Sequence, residues 1–286
     1  MKLGLHVPNF TWPGGAGTMG PDLAGFARAV DEAGFEYLSV MDHFFQIRGV
    51  GPAENDMLEA YTALGFLAAH TQRVKLLTLV TGVHYREPGL LAKAITTLDV
   101  LSQGRAVLGI GAGWNEQESR GLGFPFPPVK ERFDMLEETL RYIRQMWSDD
   151  DGPFESAHIK AERLLNVPQT LSKPSPPLMI GGSGEKKTLR LVAKYADACN
   201  LFGTPELEHK LDVLRGHCET EGRDYNEITK TTLAGMNPDQ IDDLKTELRR
   251  QAGLGIDTAF VMIPGGPNLD AIEVLGKDVI PEIAGY

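Results

Sequence analysis

Stretches with helical spacing of apolar residues alternate along the chain with short, nearly continuous apolar runs. In PDLAGFARAVDEAGF (21–35), Leu23, Phe26, Ala27 and Val30 fall on one helical face, with Pro21 near the start and Gly34 at the stop. EYLSVMDHF (36–44) then reads as a buried strand. The same order recurs in LEAYTALGFLAAHTQRVKLLTLV (58–80), where Leu64, Leu67 and Ala68 line a helix ahead of a strand over 74–81. It recurs again in LLAKAITTLDVLSQGRAVLGIG (90–111). KLGLHV (2–7), PLMIGG (177–182), ADACNLFG (196–203), EITKTTLAG (227–235) and DTAFVMIPG (257–265) bring the strands to eight. Apolar strands separated by amphipathic helices specify a parallel sheet covered by helices. Eight such units predict an α/β fold of the closed (β/α)8 TIM-barrel type, with an open doubly wound sheet as the alternative.

The spacing is uneven once. The fourth strand ends near Gly111 and the fifth begins near Pro177. The gap holds a strongly amphipathic helix, KERFDMLEETLRYIRQMWS (130–148), and then a polar, proline-studded stretch. Residues 149–176 carry too few apolar side chains for a core of their own. They are expected to form a rim excursion between strands 4 and 5, in the manner of a hairpin, on a single domain spanning 1–286.

Charge narrows the partners. With a net charge of −11 and no basic run, the chain offers nothing to track a phosphate backbone, so nucleic acid is excluded. An anionic ligand has to be met locally, by helix N-termini and a few placed cations. DDD (149–151) and DQIDD (239–243) read as solvated faces or helix N-terminal charge. Two cysteines, Cys199 and Cys218, fit neither a zinc site nor a redox pair, and no His/Cys/carboxylate spacing supports a metal. The start, MKLGLHVPNF, lacks a secretory apolar core, and no apolar run has membrane length. A cytoplasmic protein is the expectation.

In a barrel of this kind the active site lies at the C-terminal ends of the strands. Asp42 and His43 end strand two, and a histidine there can exchange a proton with a ligand near neutral pH. The alternative is a histidine bonded to backbone. Strand four ends in GIGAGWNEQE (109–118). A dinucleotide fingerprint would need G-x-G-x-x-G in the first βα turn, whereas here the glycines alternate and Trp114 stands where the last should be. Gly109, Gly111 and Gly113 are therefore read as clearing room for a flat ligand. Strand five ends in Gly181, Gly182, Ser183 and Gly184, with a helix expected from Glu185, which makes an anion site of backbone N–H groups. Lys186, Lys187 and Arg190 are positioned to add positive charge; the alternative is a tight turn and nothing more. Of the aromatics near the mouth (Phe10, Trp12, Phe44, Phe45, Trp114, Phe202), Trp114 and Phe44 are the first choices for a wall beside a planar ring. His6 and His70 are read as structural.

Taken together, SVMDHF, LLTLVTGVHYREP, TTLDVLSQGRAVLGIGAGWNEQE and LMIGGSGEKKTLRLVAKYADACNLF resemble the luciferase-like monooxygenase family, and within it the oxidoreductases that use coenzyme F420, a 5-deazaflavin. The resemblance implies a barrel with the deazaflavin in its mouth, hydride transfer to or from a small-molecule substrate, and a homodimer; FMN in the same pocket, with monooxygenase chemistry, is the alternative. It implies cofactor contacts from Asp42, Thr78, Leu79, Gly111, Gly113, Trp114, Asn115 and the turn Gly181–Gly182–Ser183–Gly184, with His43 as proton donor or acceptor and Asp42 orienting it or bonding the ring's polar edge. It implies a non-prolyl cis peptide at Thr78–Leu79. Arg86 is a candidate for the cofactor's anionic tail, a surface salt bridge being the alternative. Where relatives oxidising glucose 6-phosphate carry a glutamate after the strand-four glycines, Trp114 and Asn115 stand here, so that activity is not transferred and a more apolar substrate space is expected.

Overall fold

A computed structural model of the chain describes residues 1–235, 240–263 and 266–286. Its parallel strands are β1 (Lys2–Val7), β2 (Tyr37–Val40), β3 (Lys75–Thr78), β4 (Thr81–Gly82), β5 (Leu108–Gly111), β8 (Leu178–Gly181), β9 (Ala198–Phe202), β10 (Thr229–Gly235) and β11 (Thr258–Met262), with β6 (Phe154–Glu155) and β7 (Lys160–Ala161) forming a separate antiparallel pair. The main sheet runs β3-β2-β1-β11-β10-β9-β8-β5-β4, and a parallel bridge between Leu76 and Ala106 joins its two ends into a barrel. All eight expected strands are present in order. The third is written as two pieces, β3 and β4, because the chain breaks its pleat at Leu79 and Val80. The expected eighth strand stops at Met262; the 264–265 end of that expectation, like Asp239 of the acidic run, lies outside the described residues.

The outer layer consists of α1 (Met19–Ala33), α2 (Ala60–Ala69), α3 (Pro88–Leu101), α4 (Glu116–Leu122), α5 (Val129–Met146), α6 (Thr188–Tyr195), α7 (Leu207–Glu221), α8 (Ile241–Gly253), α9 (Leu269–Val274) and α10 (Ile280–Ile283). Leu23, Phe26, Ala27 and Val30 do face the sheet, and Gly34, at φ +90°, closes α1 in a conformation a side chain would resist. Inside the barrel Tyr37, Leu77, Val107, Met179, Ala198 and Phe260 make a smaller apolar cluster of their own. Gly4 makes that plug possible, since a Cβ there would sit 2.7 Å from the Phe260 ring. Side chains thus fill the barrel interior at this level.

The stretch between β5 and β8 holds two features. The antiparallel pair β6–β7 follows the C-terminal end of α5, and the chain then leads to the start of β8. Asp99 ties it down by accepting from Leu171 N (2.7 Å), Ser172 N (2.9 Å) and Ser172 Oγ (2.6 Å). The second feature is α4. It sits directly after β5, at the open end, and buries Glu118 and Ser119.

Candidate active site

A cavity of about 510 Å³ opens at the C-terminal face, within the range of about 300–1,000 Å³ usual for cofactor and ligand sites. Each barrel strand or the turn after it contributes: His6 and Pro8, Met41 and His43, Leu79 to Gly82, Gly111 to Trp114, Gly181 and Gly182, Asn200 and Phe202, Leu233, and Met262. Ile47, Val50, Tyr85, Val129, Phe133 and Thr188 complete the wall. Among the described residues no lysine or arginine lines it.

Of the residues singled out from the sequence, His43, Leu79, Gly111, Gly113, Trp114, Gly181 and Gly182 meet at this cavity. Trp114 is 59% exposed and stands edge-on to His43, with ring centroids 5.4 Å apart. Phe44, the other first choice, turns away and packs on Tyr85 and Phe124; Phe202 takes the place at the wall. Phe10 and Trp12 belong to the core.

Asp42 does not orient His43. Its side chain is 1% exposed, and both oxygens accept from Arg86, at 2.6 and 2.9 Å. Burial pushes the Asp42 carboxyl upward, and the guanidinium works against that push. Arg86 is committed on its other side to Glu59 at 2.6 Å, so it is neither a tail anchor nor a surface salt bridge but the centre of an internal triad. Thr78 is also inward: its hydroxyl bonds Gly109 O at 3.1 Å and pairs with Thr81 at 2.8 Å. The cis peptide is Leu79–Val80, one residue later than expected, because Thr78 still belongs to β3 in register with Val40. Asn115 is buried as the residue that precedes α4.

The strand-four glycines are mostly explained by neighbours of the same chain. A Cβ on Gly109 would meet Thr78 O at 2.0 Å, one on Gly111 would meet Val80 at 3.1 Å, and one on Gly113 would meet His84 at 2.3 Å. Gly181 gives way to Val80 as well, at 2.8 Å. These glycines let the Leu79–Val80 segment and His84 come close, and through that segment they shape the cavity floor.

The turn after β8 is more extended than expected, and α6 begins at Thr188 rather than Glu185. The Gly182 N–H is spent on Asn200 O at 3.0 Å and is not available to an anion. Ser183 and Gly184 lie beyond the cavity edge, toward α6. Arg190 is taken by Glu137 and Glu221, and Lys187 stands over the Phe133 ring at 5.2 Å.

Sequence reasoning missed the group that holds His43. Glu118, with a fully buried side chain, takes His43 Nδ1 at 2.5 Å, the Tyr85 hydroxyl, Phe44 N at 2.7 Å and Phe45 N at 3.1 Å. Burial works to raise its pKa, but these donors win and hold the carboxyl below the usual range. His6, read as structural, is indeed bonded through Nδ1 to Ser39 Oγ at 2.9 Å, yet it also forms the cavity floor. Burial, and then the charge of His43, push His6 down to about 3, so it is a neutral imidazole. Among the described residues no cluster could hold a metal ion, and no helix is long and apolar enough to cross a membrane.

A family model for luciferase-like monooxygenases matches residues 1–251. A protein of Kineococcus radiotolerans named F420-dependent glucose-6-phosphate dehydrogenase is 33% identical over 231 residues, 76% of this chain and 64% of that relative, so the chain spans less than two thirds of its length. Among solved structures, an F420-dependent secondary alcohol dehydrogenase in complex with an F420-acetone adduct superposes with a TM-score of 0.83 at 18% identity, covering 99% of this chain and 98% of that one. The monooxygenase RslO1 from Streptomyces bottropensis superposes with a TM-score of 0.81 at 18% identity, covering 99% of both chains. At that identity the two structures speak for the fold.

Proposed function

This chain belongs to the luciferase-like monooxygenase family, and from that premise we propose that it is an oxidoreductase moving a hydride between coenzyme F420 and an uncharged organic substrate. One observation carries the reading: a histidine at the cavity wall, His43, has Nδ1 held by a buried carboxylate and so keeps Nε2 for a ligand, in a space where all the barrel strands converge. The residues present fit a flat ring with a phosphate-bearing tail. Leu79, Val80, Gly111 and Gly113 would lie along the ring, while the amides of Ser183 and Gly184, in the turn between β8 and α6, would meet the phosphate. The deazaflavin would supply two-electron hydride chemistry when bound. In the oxidising direction, Nε2 of His43 takes the hydroxyl proton as the carbon gives up its hydride and the C–O bond becomes C=O; in the reducing direction Nε2–H returns that proton. Asp42 is assigned to holding Arg86.

The cofactor choice has a direct test, and FMN is a live rival because a Baeyer-Villiger monooxygenase constituent from Pseudomonas putida, solved in complex with FMN, shares the fold. Titration of the protein separately with F420 and FMN, read by quenching of cofactor fluorescence, is expected to show F420 binding at least about tenfold tighter, a difference of about 1.4 kcal/mol. Tighter FMN binding with oxygen-dependent turnover would replace this reading with a monooxygenase. A homodimer in the cytoplasm, and one domain over 1–286 with 149–176 as its excursion, belong to the same proposal.

The tail assignment predicts that Ser183→Asp weakens F420 about tenfold or more, because a carboxylate would face the phosphate across the turn after β8. The deazaflavin fragment without its phosphate should bind both proteins equally. Gly182 is a poor place for this test: at φ +119° any side chain there is strained whatever the ligand does. Equal loss of the fragment and of full F420 would remove the assignment.

The substrate class follows from the wall. A phosphate dianion buried here would meet no cation, at a cost of several kcal/mol. With F420, kcat/KM for glucose 6-phosphate is expected to fall about 100-fold or more below that of the best neutral alcohol or ketone in a broad panel. Glucose 6-phosphate emerging as the best substrate would overturn this.

A further inference from the structure

We propose that Glu118 is a positioning residue for the reaction: it fixes His43 in the tautomer whose unprotonated Nε2 faces the cavity. The proposal rests on the reading of His43 given above. Of the two ring nitrogens, Nδ1 lies 2.5 Å from Glu118 Oε1. A carboxylate only accepts, so in the neutral imidazole the proton sits on Nδ1 and the lone pair on Nε2. Glu118 cannot turn away to serve another partner. Its other oxygen is held by the Phe44 and Phe45 N–H groups, and the Tyr85 hydroxyl donates to the same oxygen as His43. The two backbone bonds also pin the loop that carries His43, so one carboxylate sets both the position of the imidazole and its protonation pattern. When Nε2 takes a proton from the substrate hydroxyl, the resulting imidazolium lies directly against that carboxylate. No further proton has to move, and the charge is met where it forms.

The geometry makes Glu118→Gln a sharp test. An amide has one oxygen, and the Phe44 and Phe45 N–H groups can be satisfied only if that oxygen faces them. The NH2 then faces His43 Nδ1 and can be accommodated only if Nδ1 becomes an acceptor, which moves the ring proton to Nε2. The variant therefore inverts the tautomer while keeping shape and backbone bonds. With the full chain labelled at histidine with 15N, and the His43 signals identified by their absence in His43→Gln, wild type is expected to show Nδ1 protonated and Nε2 bare. Glu118→Gln should show the reverse. Its kcat is expected to fall about 100-fold, with the F420 dissociation constant and substrate KM within about threefold.

A role confined to holding the fold would lower the melting temperature and leave the tautomer unchanged, and that result overturns the proposal. If Glu118→Gln does not fold, the wild-type spectrum alone still decides, because a wild-type His43 protonated on Nε2 when neutral is incompatible with it. The two readings fail separately. Full turnover in His43→Ala removes the histidine itself from the chemistry, whereas loss in His43→Ala with full turnover and an unchanged tautomer in Glu118→Gln removes only Glu118.

Discussion

His43→Ala is expected to lower kcat by about 10²–10⁴-fold while the F420 dissociation constant changes by less than about threefold, the range a positioned acid–base group contributes. The split follows from where the imidazole stands. The expected ring contacts come from Leu79, Val80 and the β5 and β8 glycines, and the tail contacts from Ser183 and Gly184 in the turn before α6, none of which touches His43 through a hydrogen bond. Removing the imidazole takes away the proton partner and leaves the binding surface. Trp114 would report the loss, as its ring edge meets His43 at 5.4 Å. A change in tryptophan emission without a change in affinity would report that the pocket has kept its shape. The opposite outcome, weaker F420 with kcat intact, would make His43 a wall for the ring and end its role as acid or base.

The barrel was legible because its signal is local. A fully buried parallel strand is a short apolar run, and eight such runs separated by amphipathic helices leave few topologies. His43, Gly111, Gly113, Trp114, Gly181 and Gly182 were legible for a related reason: the C-terminal-end rule turns a position along the chain into a position in space. What was not legible depends on pairings across the barrel. Nothing in NEQES marks Glu118 as buried while Glu116 is half exposed on the same short helix; the signal, had it been sought, was a loop at residues 44–45 with two backbone donors in need of an acceptor. Asp42 and His43, adjacent in sequence, were read as one unit, yet neighbours along a strand end point to different sides, and each found its own partner. Arg86, beyond a strand end, was open to two readings, a contact for the cofactor's tail or a surface salt bridge, and only the fold shows Glu59 and Asp42 waiting for it.

That last pairing makes the strongest stability prediction. Arg86→Leu is expected to reduce the free energy of unfolding by about 3–5 kcal/mol at neutral pH, the cost of leaving one partner of a buried ion pair alone. Asp42 is 1% exposed and has both oxygens on the guanidinium, so no water can take over. Without Arg86 the main opposition to burial is lost, and the folded pKa of Asp42, already above the unfolded value of about 4, rises further. The folded variant then holds a proton that the unfolded chain releases, so its stability falls as pH rises, and its deficit against wild type should be largest at neutral pH and shrink toward pH about 4. Asp42→Asn added to Arg86→Leu removes the stranded charge and should restore at least half of the loss. Asp42→Asn alone, which leaves Arg86 with Glu59, should cost less than Arg86→Leu and leave kcat within about fivefold, since the side chain reaches neither His43 nor the cavity. Urea unfolding of the three variants across that pH range checks every term. A deficit under about 1 kcal/mol in Arg86→Leu, or a kcat collapse in a fully stable Asp42→Asn, would return Asp42 to the chemistry and take it out of the scaffold.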